Sequence, residues 1–450
     1  MSFEQLGLTP ALLRTLSEQG YDTPTPIQRD AIPLALAGRD LLAGAQTGTG
    51  KTAAFGLPLL QHLSARPNPT HKPRALVLTP TRELAVQVHE SLRDYGKHLR
   101  VPSTTIYGGV GMGNQLQALR RGVDLLIACP GRLLDHIERR SVDLSGIEVL
   151  VLDEADRMLD MGFLPSIKRI LAKLPKQNRQ TLLFSATFAE PIKQLALEFM
   201  RSPVEVMVTP QNTIAETITH RVHPVDGGRK RELLLHLLAQ DHRAQTLVFA
   251  RTKHGSDKLA FFLEKSGIKA AAIHGNKSQG QRQRALNDFK AGKVPVLVAT
   301  DIAARGIDID QLPKVINYDL PMVAEDYVHR IGRTGRNGST GEAISLVAQD
   351  EAKYLRAIVR LLGQDMEIRD VPGFEPHEPI RWGNSAPGKA EQPGGDRAPR
   401  RPGGNRPGGH RPGGNHAGKP RRPNSGNPRH GHAGAHAGKP RSPSRQRVER

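Results

Sequence analysis

The chain of 450 residues carries 64 Lys and Arg against 44 Asp and Glu, a formal net charge of +20. At roughly 150 residues per domain, that length allows about three units, and the positive balance favours a polyanionic partner, nucleic acid or an anionic membrane. A single cysteine, Cys129, excludes an intrachain disulfide framework and cysteine-based zinc sites, and fits a reducing compartment.

Met1 to Pro10 has neither a basic start nor a long apolar run, and no stretch reaches the roughly 18 apolar residues of a membrane span. A soluble, cytoplasmic chain without membrane association is expected. Tyr21 and Gln28 come next. An amide can pair with N6 and N7 of adenine while a tyrosine ring stacks on it, although a Gln soon after Thr25-Pro26 also suits a helix start. The apolar Leu41-Leu42-Ala43 then leads into Ala45, Gln46, Thr47, Gly48, Thr49, Gly50, Lys51 and Thr52, followed by the helix-forming Ala53-Ala54-Phe55. This pattern predicts a phosphate-binding loop. Its glycines let backbone N–H groups close on phosphates, Lys51 reaches the β/γ oxygens, and the Thr52 hydroxyl suits Mg²⁺. Ala45 stands where the general pattern has glycine.

Further along, the runs 75–78, 124–128, 149–152, 181–184 and 204–208 read as strands buried on both faces. Asp153, Glu154 and Asp156 follow the run ending at Leu152, at the carboxyl end of a parallel strand where ligands of α/β sheets collect. Asp153 is expected to hold Mg²⁺, and Glu154 to orient and deprotonate an attacking water. Residues 209–219, polar and without helical periodicity, mark a boundary. Beyond it a second strand series, 246–249, 270–273, 296–299, 314–317 and 343–347, alternates with helical stretches such as Leu233 to Leu238 and Leu259 to Leu263. Such alternation predicts parallel sheets covered by helices. Residues 219–380 hold no second Gly-Lys-Thr or Gly-Lys-Ser, so this half is expected to complete the first half's nucleotide site. Composition breaks near residue 380. Residues 381–450 carry 16 basic and 3 acidic side chains, with 15 Gly and 11 Pro and an Arg-Pro-Gly-Gly repeat from Arg401. This composition predicts a disordered basic tail, either a tether for polyanions or a passive segment.

The motifs together resemble the DEAD-box RNA helicases, in the wording of the bacterial RhlE-type subgroup. The likeness rests on Gly20 to Gln28, the phosphate loop, Pro80-Thr81-Arg82-Glu83-Leu84-Ala85, Gly108-Gly109, Pro130-Gly131-Arg132, the Asp153 tetrad and Ser185-Ala186-Thr187. It continues with Val248 to Arg251, His274 to Gln279, Ala299 to Asp308 and His329 to Arg336. The resemblance implies two RecA-like lobes, placed at 1–208 and 219–380 and joined by a linker at 209–218, with ATP and Mg²⁺ between them and RNA across both. It assigns Tyr21 and Gln28 to adenine, residues 45–52 to the phosphates and Asp308 to the ribose. Arg333 and Arg336 are arginine fingers by the same likeness. It implies that Ser185, Thr187, Asp156 and Arg330 couple hydrolysis to closure. The resemblance places Thr81, Arg82, Gly108, Gly109, Gly131, Arg132, Arg251, Gln279, Arg282, Thr300 and Asp301 on RNA, Asp301 through a 2′-hydroxyl. One departure stands out: Cys129 replaces the threonine usual before Pro-Gly-Arg. The implied activity is ATP hydrolysis coupled to opening of short RNA duplexes and remodelling of RNA–protein complexes, on ribosomal precursors or with RNA-decay machinery as partners. An ATP-gated RNA clamp or annealer is the alternative, and a DNA translocase fits less well.

Overall fold

A computed structural model describes residues 2–45, 48–188, 190–208, 218–241, 244–304, 307, 309, 312–335 and 340–380. Expectations for Gln46, Thr47, Asp308, Arg336, residues 209–217 and the tail 381–450 lie outside the described residues.

Fourteen strands are described: β1 Leu41–Gly44, β2 Ala75–Leu78, β3 Ser103–Ile106, β4 Leu125–Ala128, β5 Val149–Leu152, β6 Gln180–Ser185, β7 Val204–Met207, β8 Ile218–Pro224, β9 Thr246–Phe249, β10 Ala270–Ile273, β11 Val296–Ala299, β12 Lys314–Asn317, β13 Gly341–Val347 and β14 Glu367–Ile368. Among the described residues they form two seven-stranded sheets, in the orders β3-β4-β2-β5-β6-β1-β7 and β10-β11-β9-β12-β13-β8-β14. Every strand pairing is parallel, as between β1 and β6, where Leu41 opposes Leu182 and Gly44 opposes Ser185. This is the α/β class expected.

Strands buried on both faces have no polar side to offer, so their sequences run apolar without a break. Leu41 and Ala43 face one core with helices Pro26–Leu36, Lys51–Ser64 and Arg82–Tyr95. Leu42 and Leu76 face the other, against helices Pro130–Glu138, Leu164–Leu171 and Glu190–Phe199. The second sheet repeats the plan. Val248 and Val298 pack on helices Lys230–Gln240 and Lys253–Lys265, while Leu247 and Leu297 meet helix Gln279–Lys290 on the opposite face. Each fully buried Val, Leu or Ile contributes roughly 1.5–3 kcal/mol, so the apolar runs are also where the stability resides.

Four strands go beyond the sequence expectation, the first being β1, formed by the apolar run that leads into the phosphate loop. The threonine-rich β3 is a half-buried edge strand. The polar β8, with two histidines and an arginine, pairs along its whole length with β13, and β14 is a two-residue edge. Ile218, expected as the last linker residue, opens β8 opposite Gly341. In a parallel sheet all carboxyl ends lie along one side. The first sheet therefore places the loops after β1, β6 and β5 side by side, and those after β2 and β4 beside them.

Candidate active site and nucleic-acid interface

The phosphate loop leaves the carboxyl end of β1. Gly48 and Gly50 take φ of 83° and 90°, a region that glycine enters without Cβ strain. Gly50 also lacks room for a side chain, since a Cβ there would run into the Gln28 amide. The Lys51–Ser64 helix begins immediately after, with Thr52 half-buried in its first turn, so its free backbone N–H groups point back toward the loop. Ala45 N–H donates to the Ser185 carbonyl at 3.1 Å, tying the loop to the end of β6.

Gln28, expected on adenine, is buried with both amide ends engaged. Its Oε1 accepts from Thr25 N–H at 2.9 Å and its Nε2 donates to the Gly50 carbonyl at 3.2 Å. The Thr25 hydroxyl donates to the Thr49 carbonyl at 2.8 Å. Thr25 and Gln28 thus close a capping box on helix Pro26–Leu36 and brace the phosphate loop. Tyr21 stays 42 % exposed, edge-on to Tyr95 at 6.2 Å between centroids.

Lys51, Asp153 and Glu154 are 7, 3 and 6 % exposed. The Lys51 Nζ, one Asp153 oxygen (Oδ1) and one Glu154 oxygen (Oε2) are buried without a hydrogen-bond partner among the described residues. Burial pushes the Asp153 carboxyl up to about 7, against the pull of the Lys51 ammonium and with the Glu154 charge adding to the rise. Glu154 is held in the left-handed region, φ 53° and ψ 52°. Asp156 is satisfied: its Oδ2 accepts from Ala186 N–H and Thr187 N–H, both at 3.1 Å, and its Oδ1 from Arg157 N–H. The Ser185 hydroxyl donates to the Thr187 carbonyl at 2.6 Å.

In the second lobe, Arg330 sits on helix Ala324–Ile331 and donates a fork to Asp301. It also donates to Asn317 Oδ1 at 3.0 Å and lies 4.8 Å from the Phe249 ring centroid. Both Asp301 oxygens, expected on an RNA hydroxyl, therefore accept from Arg330. Arg333, buried, donates to the Ile307 carbonyl at 2.8 Å.

The RNA expectations divide. At the ends of β2 and β4, the Arg82 guanidinium lies beside Gly108 and Gly109, and that of Arg132 reaches Gly108. Gly109 has φ 77°, and a Cβ there would strike Arg82. Arg132 Nη1 donates to the Val110 carbonyl at 3.1 Å. Thr81 caps helix Arg82–Tyr95, and Gly131 has open space beside it. Gln279 and Arg282, by contrast, turn to the first lobe: Gln279 Nε2 donates to Glu83 Oε1 at 2.9 Å, and Arg282 Nη2 lies 2.8 Å from Glu83 Oε2. A buried carboxylate needs charged or amide donors, and these two supply them. Arg251 donates to Glu351 Oε1 at 2.9 Å and lies over Tyr354. Thr300 is buried at the end of β11. Thr25, Glu83 and Asn317 are parts of the site that the sequence expectation did not single out. Thr25 and Glu83 lie inside the motifs that carried the resemblance, whereas nothing local to Asn317 announces its partner.

Residues 25–195 match the DEAD/DEAH box helicase family, and residues 229–338 match the helicase conserved C-terminal domain. Together these matches cover more than half of the chain. The chain belongs to the DEAD-box ATP-dependent RNA helicases. It is 41 % identical over 380 residues to the DEAD-box ATP-dependent RNA helicase RhpA of Helicobacter pylori, covering 84 % of this chain and 76 % of that protein. To CshA of Bacillus cereus, another DEAD-box ATP-dependent RNA helicase, it is 43 % identical over 376 residues, covering 83 and 70 %. Among solved structures it is similar to S. cerevisiae Dbp5 bound to RNA and ADP BeF3, at 34 % identity and a TM-score of 0.74, covering 82 % of this chain and 95 % of that one. Members of the family hydrolyse ATP and act on RNA, so the two-lobed architecture, the nucleotide and the polymer are those of the family. Among the described residues no helix is long and apolar enough to cross a membrane.

Proposed function

We propose that this helicase binds ATP on the first lobe, closes both lobes on RNA, and hydrolyses ATP to reset that grip, opening short duplexes and remodelling RNA–protein complexes. The observation that carries this reading is the buried trio of Lys51 Nζ, Asp153 Oδ1 and Glu154 Oε2, three polar atoms without a hydrogen-bond partner among the described residues. Burying charge without compensation is costly, and a nucleotide triphosphate would supply the missing partners. Lys51 and the loop N–H groups hold the β- and γ-phosphates. Glu154 orients the attacking water and takes its proton. Arg333, with Arg336, contacts the γ-phosphate only once the lobes have closed.

Asp153 and Thr52 fit Mg²⁺, the first by its partnerless buried carboxylate oxygen and the second by its place next to Lys51. Bound there, Mg²⁺ would offset charge on the β- and γ-phosphate oxygens. Gln28 keeps one amide hydrogen and one oxygen lone pair beyond its two intramolecular bonds. That remainder, with exposed Tyr21, suits adenine, and Asp308 suits the ribose. Asp156, Ser185 and Thr187 transmit hydrolysis to closure through their shared hydrogen bonds, and Arg330 does so through Asp301.

Arg82, Gly108, Gly109, Gly131 and Arg132 hold RNA through phosphates and close backbone approach, which makes binding independent of sequence. Thr81, Thr300 and the outer faces of Arg251, Gln279, Arg282 and Asp301 extend that track, with Asp301 as the group that would distinguish RNA by its 2′-hydroxyl. The wording of the motifs favours the RhlE-type subgroup, the single cysteine favours a cytoplasmic setting, and the polar, aperiodic residues 209–219 favour lobes bounded near residues 208 and 219. ATP turnover measured without polymer, with RNA and with DNA, beside strand release from a short overhanging duplex, tests this. RNA-selective turnover with strand release is expected. Turnover without strand release would instead indicate an RNA clamp, and equal stimulation by DNA would overturn the RNA reading.

A further inference from the structure

Among the described residues, side-chain contacts cross between the lobes at two places away from the arginine fingers and the phosphate loop. One gathers Gln279 and Arg282 on Glu83. The other is an ion pair, in which Arg157 Nη1 donates to Asp326 Oδ1 at 3.1 Å across 169 residues of sequence. Its side chains are 6 and 18 % exposed, so the pair is largely shielded from water.

The position of this pair is informative on both sides. Arg157 follows Asp156 in the chain, and its own N–H donates to Asp156 Oδ1. Asp156 in turn gathers Ala186 and Thr187 at the end of β6. Asp326 lies four residues, about one helical turn, before Arg330 on helix Ala324–Ile331, and that helix leads directly to Arg333. A small cavity is lined by Arg157 and Asp326 together with Asp301, Arg330 and Arg333. One ion pair thus joins the element that responds to hydrolysis to the element that carries the second-lobe arginines.

We infer that Arg157 and Asp326 are positioning residues for closure, a pair whose attraction exists only when the lobes meet and which sets the register of Arg333 against the phosphate site. The inference rests on the proposed closure on ATP and RNA. A contact made only in the closed state adds its free energy to the closure equilibrium. It therefore strengthens the linkage by which ATP tightens RNA and RNA tightens ATP, and leaves each ligand's binding in the open state alone. A shielded pair responds more than an exposed one to removal of one partner, because the other charge loses its counter-charge while still desolvated.

The test uses the full chain and the variants Arg157→Ala, Asp326→Ala, their double variant and the exchanged pair Arg157→Asp with Asp326→Arg. RNA affinity is measured with and without a non-hydrolysable ATP analogue, together with the thermal midpoint of each variant. Each single variant should lower the ATP–RNA linkage about tenfold, within the usual 5- to 150-fold range of coupling between sites. RNA affinity without nucleotide should stay unchanged. The double variant should lose no more than either single one, and the exchanged pair should recover part of the loss. Should Arg157→Ala lower the thermal midpoint, Asp326→Ala, on the other lobe, still carries the test. Additive losses in the double variant, or linkage preserved in Asp326→Ala, would overturn the inference. A wild-type chain with no ATP–RNA linkage would instead overturn the reading of closure on which it rests.

Discussion

Glu154 is held at φ 53° in a region that costs a non-glycine residue about 1–3 kcal/mol, and such strain persists where the surrounding structure fixes it. Here the buried end of β5 and the helix that follows impose it, and the carboxylate they aim has a partnerless oxygen. The residue types of the site were legible in the sequence because their chemistry leaves few substitutes: a lysine after glycines, and carboxylates after an apolar strand. The second task of Gln28, bracing Gly50, was not legible, because it depends on a loop 22 residues away. Cys129 offers a test at this scale. It precedes helix Pro130–Glu138 without capping it, and burial pushes its thiol up to about 12, so it is neither an active nucleophile nor a helix cap. A threonine oxygen can accept from the open amides of the first turn. Cys129→Thr should therefore stabilise the first lobe by about 1 kcal/mol, raising its thermal midpoint by about 2–4 °C. An unchanged or lower midpoint in a thermal melt would show that the buried site rejects the cap.

Helix Ala324–Ile331 and the turn after it give two arginines different work within three residues. Arg330 is locked by Asp301, Asn317 and the Phe249 face, so Arg330→Ala leaves a carboxylate without its partner and should cost the second lobe about 3–5 kcal/mol. Arg333→Ala should leave ATP affinity on the first lobe nearly intact and abolish RNA-stimulated turnover. Thermal melts and ATP titrations of the two variants separate these roles; a wild-type midpoint in Arg330→Ala would contradict the structural lock. The same scale shows why the elements were partly legible. Strands such as β5 and β11, covered on both faces, announce themselves as unbroken apolar runs. The edge strand β3 and the histidine-bearing β8 carry polar side chains, and only their partners reveal them as strands.

Across the whole molecule, two sheets of the same parallel plan bring one nucleotide loop and one set of arginines into a single chain. The division into two halves was legible because the apolar series pauses at residues 209–219 and only the first half carries a phosphate loop. The contacts that join the halves were not legible. Glu83 finds Gln279 and Arg282, and Arg157 finds Asp326, across 196, 199 and 169 residues, a separation at which no local pattern names the partner. The central claim is that ATP drives closure of both lobes on RNA and that hydrolysis through Glu154 releases it. Lys51→Ala removes a ground-state phosphate contact, whereas Glu154→Gln removes chiefly a group acting on water in the transition state. The direct measurement is therefore RNA affinity of the wild type, Lys51→Ala and Glu154→Gln, each with and without ATP. ATP should tighten RNA on Glu154→Gln at least about tenfold and hold it there, while Lys51→Ala shows no response to ATP. Equal loss of ATP affinity in both variants, or RNA binding to Glu154→Gln that ignores ATP, would contradict the account.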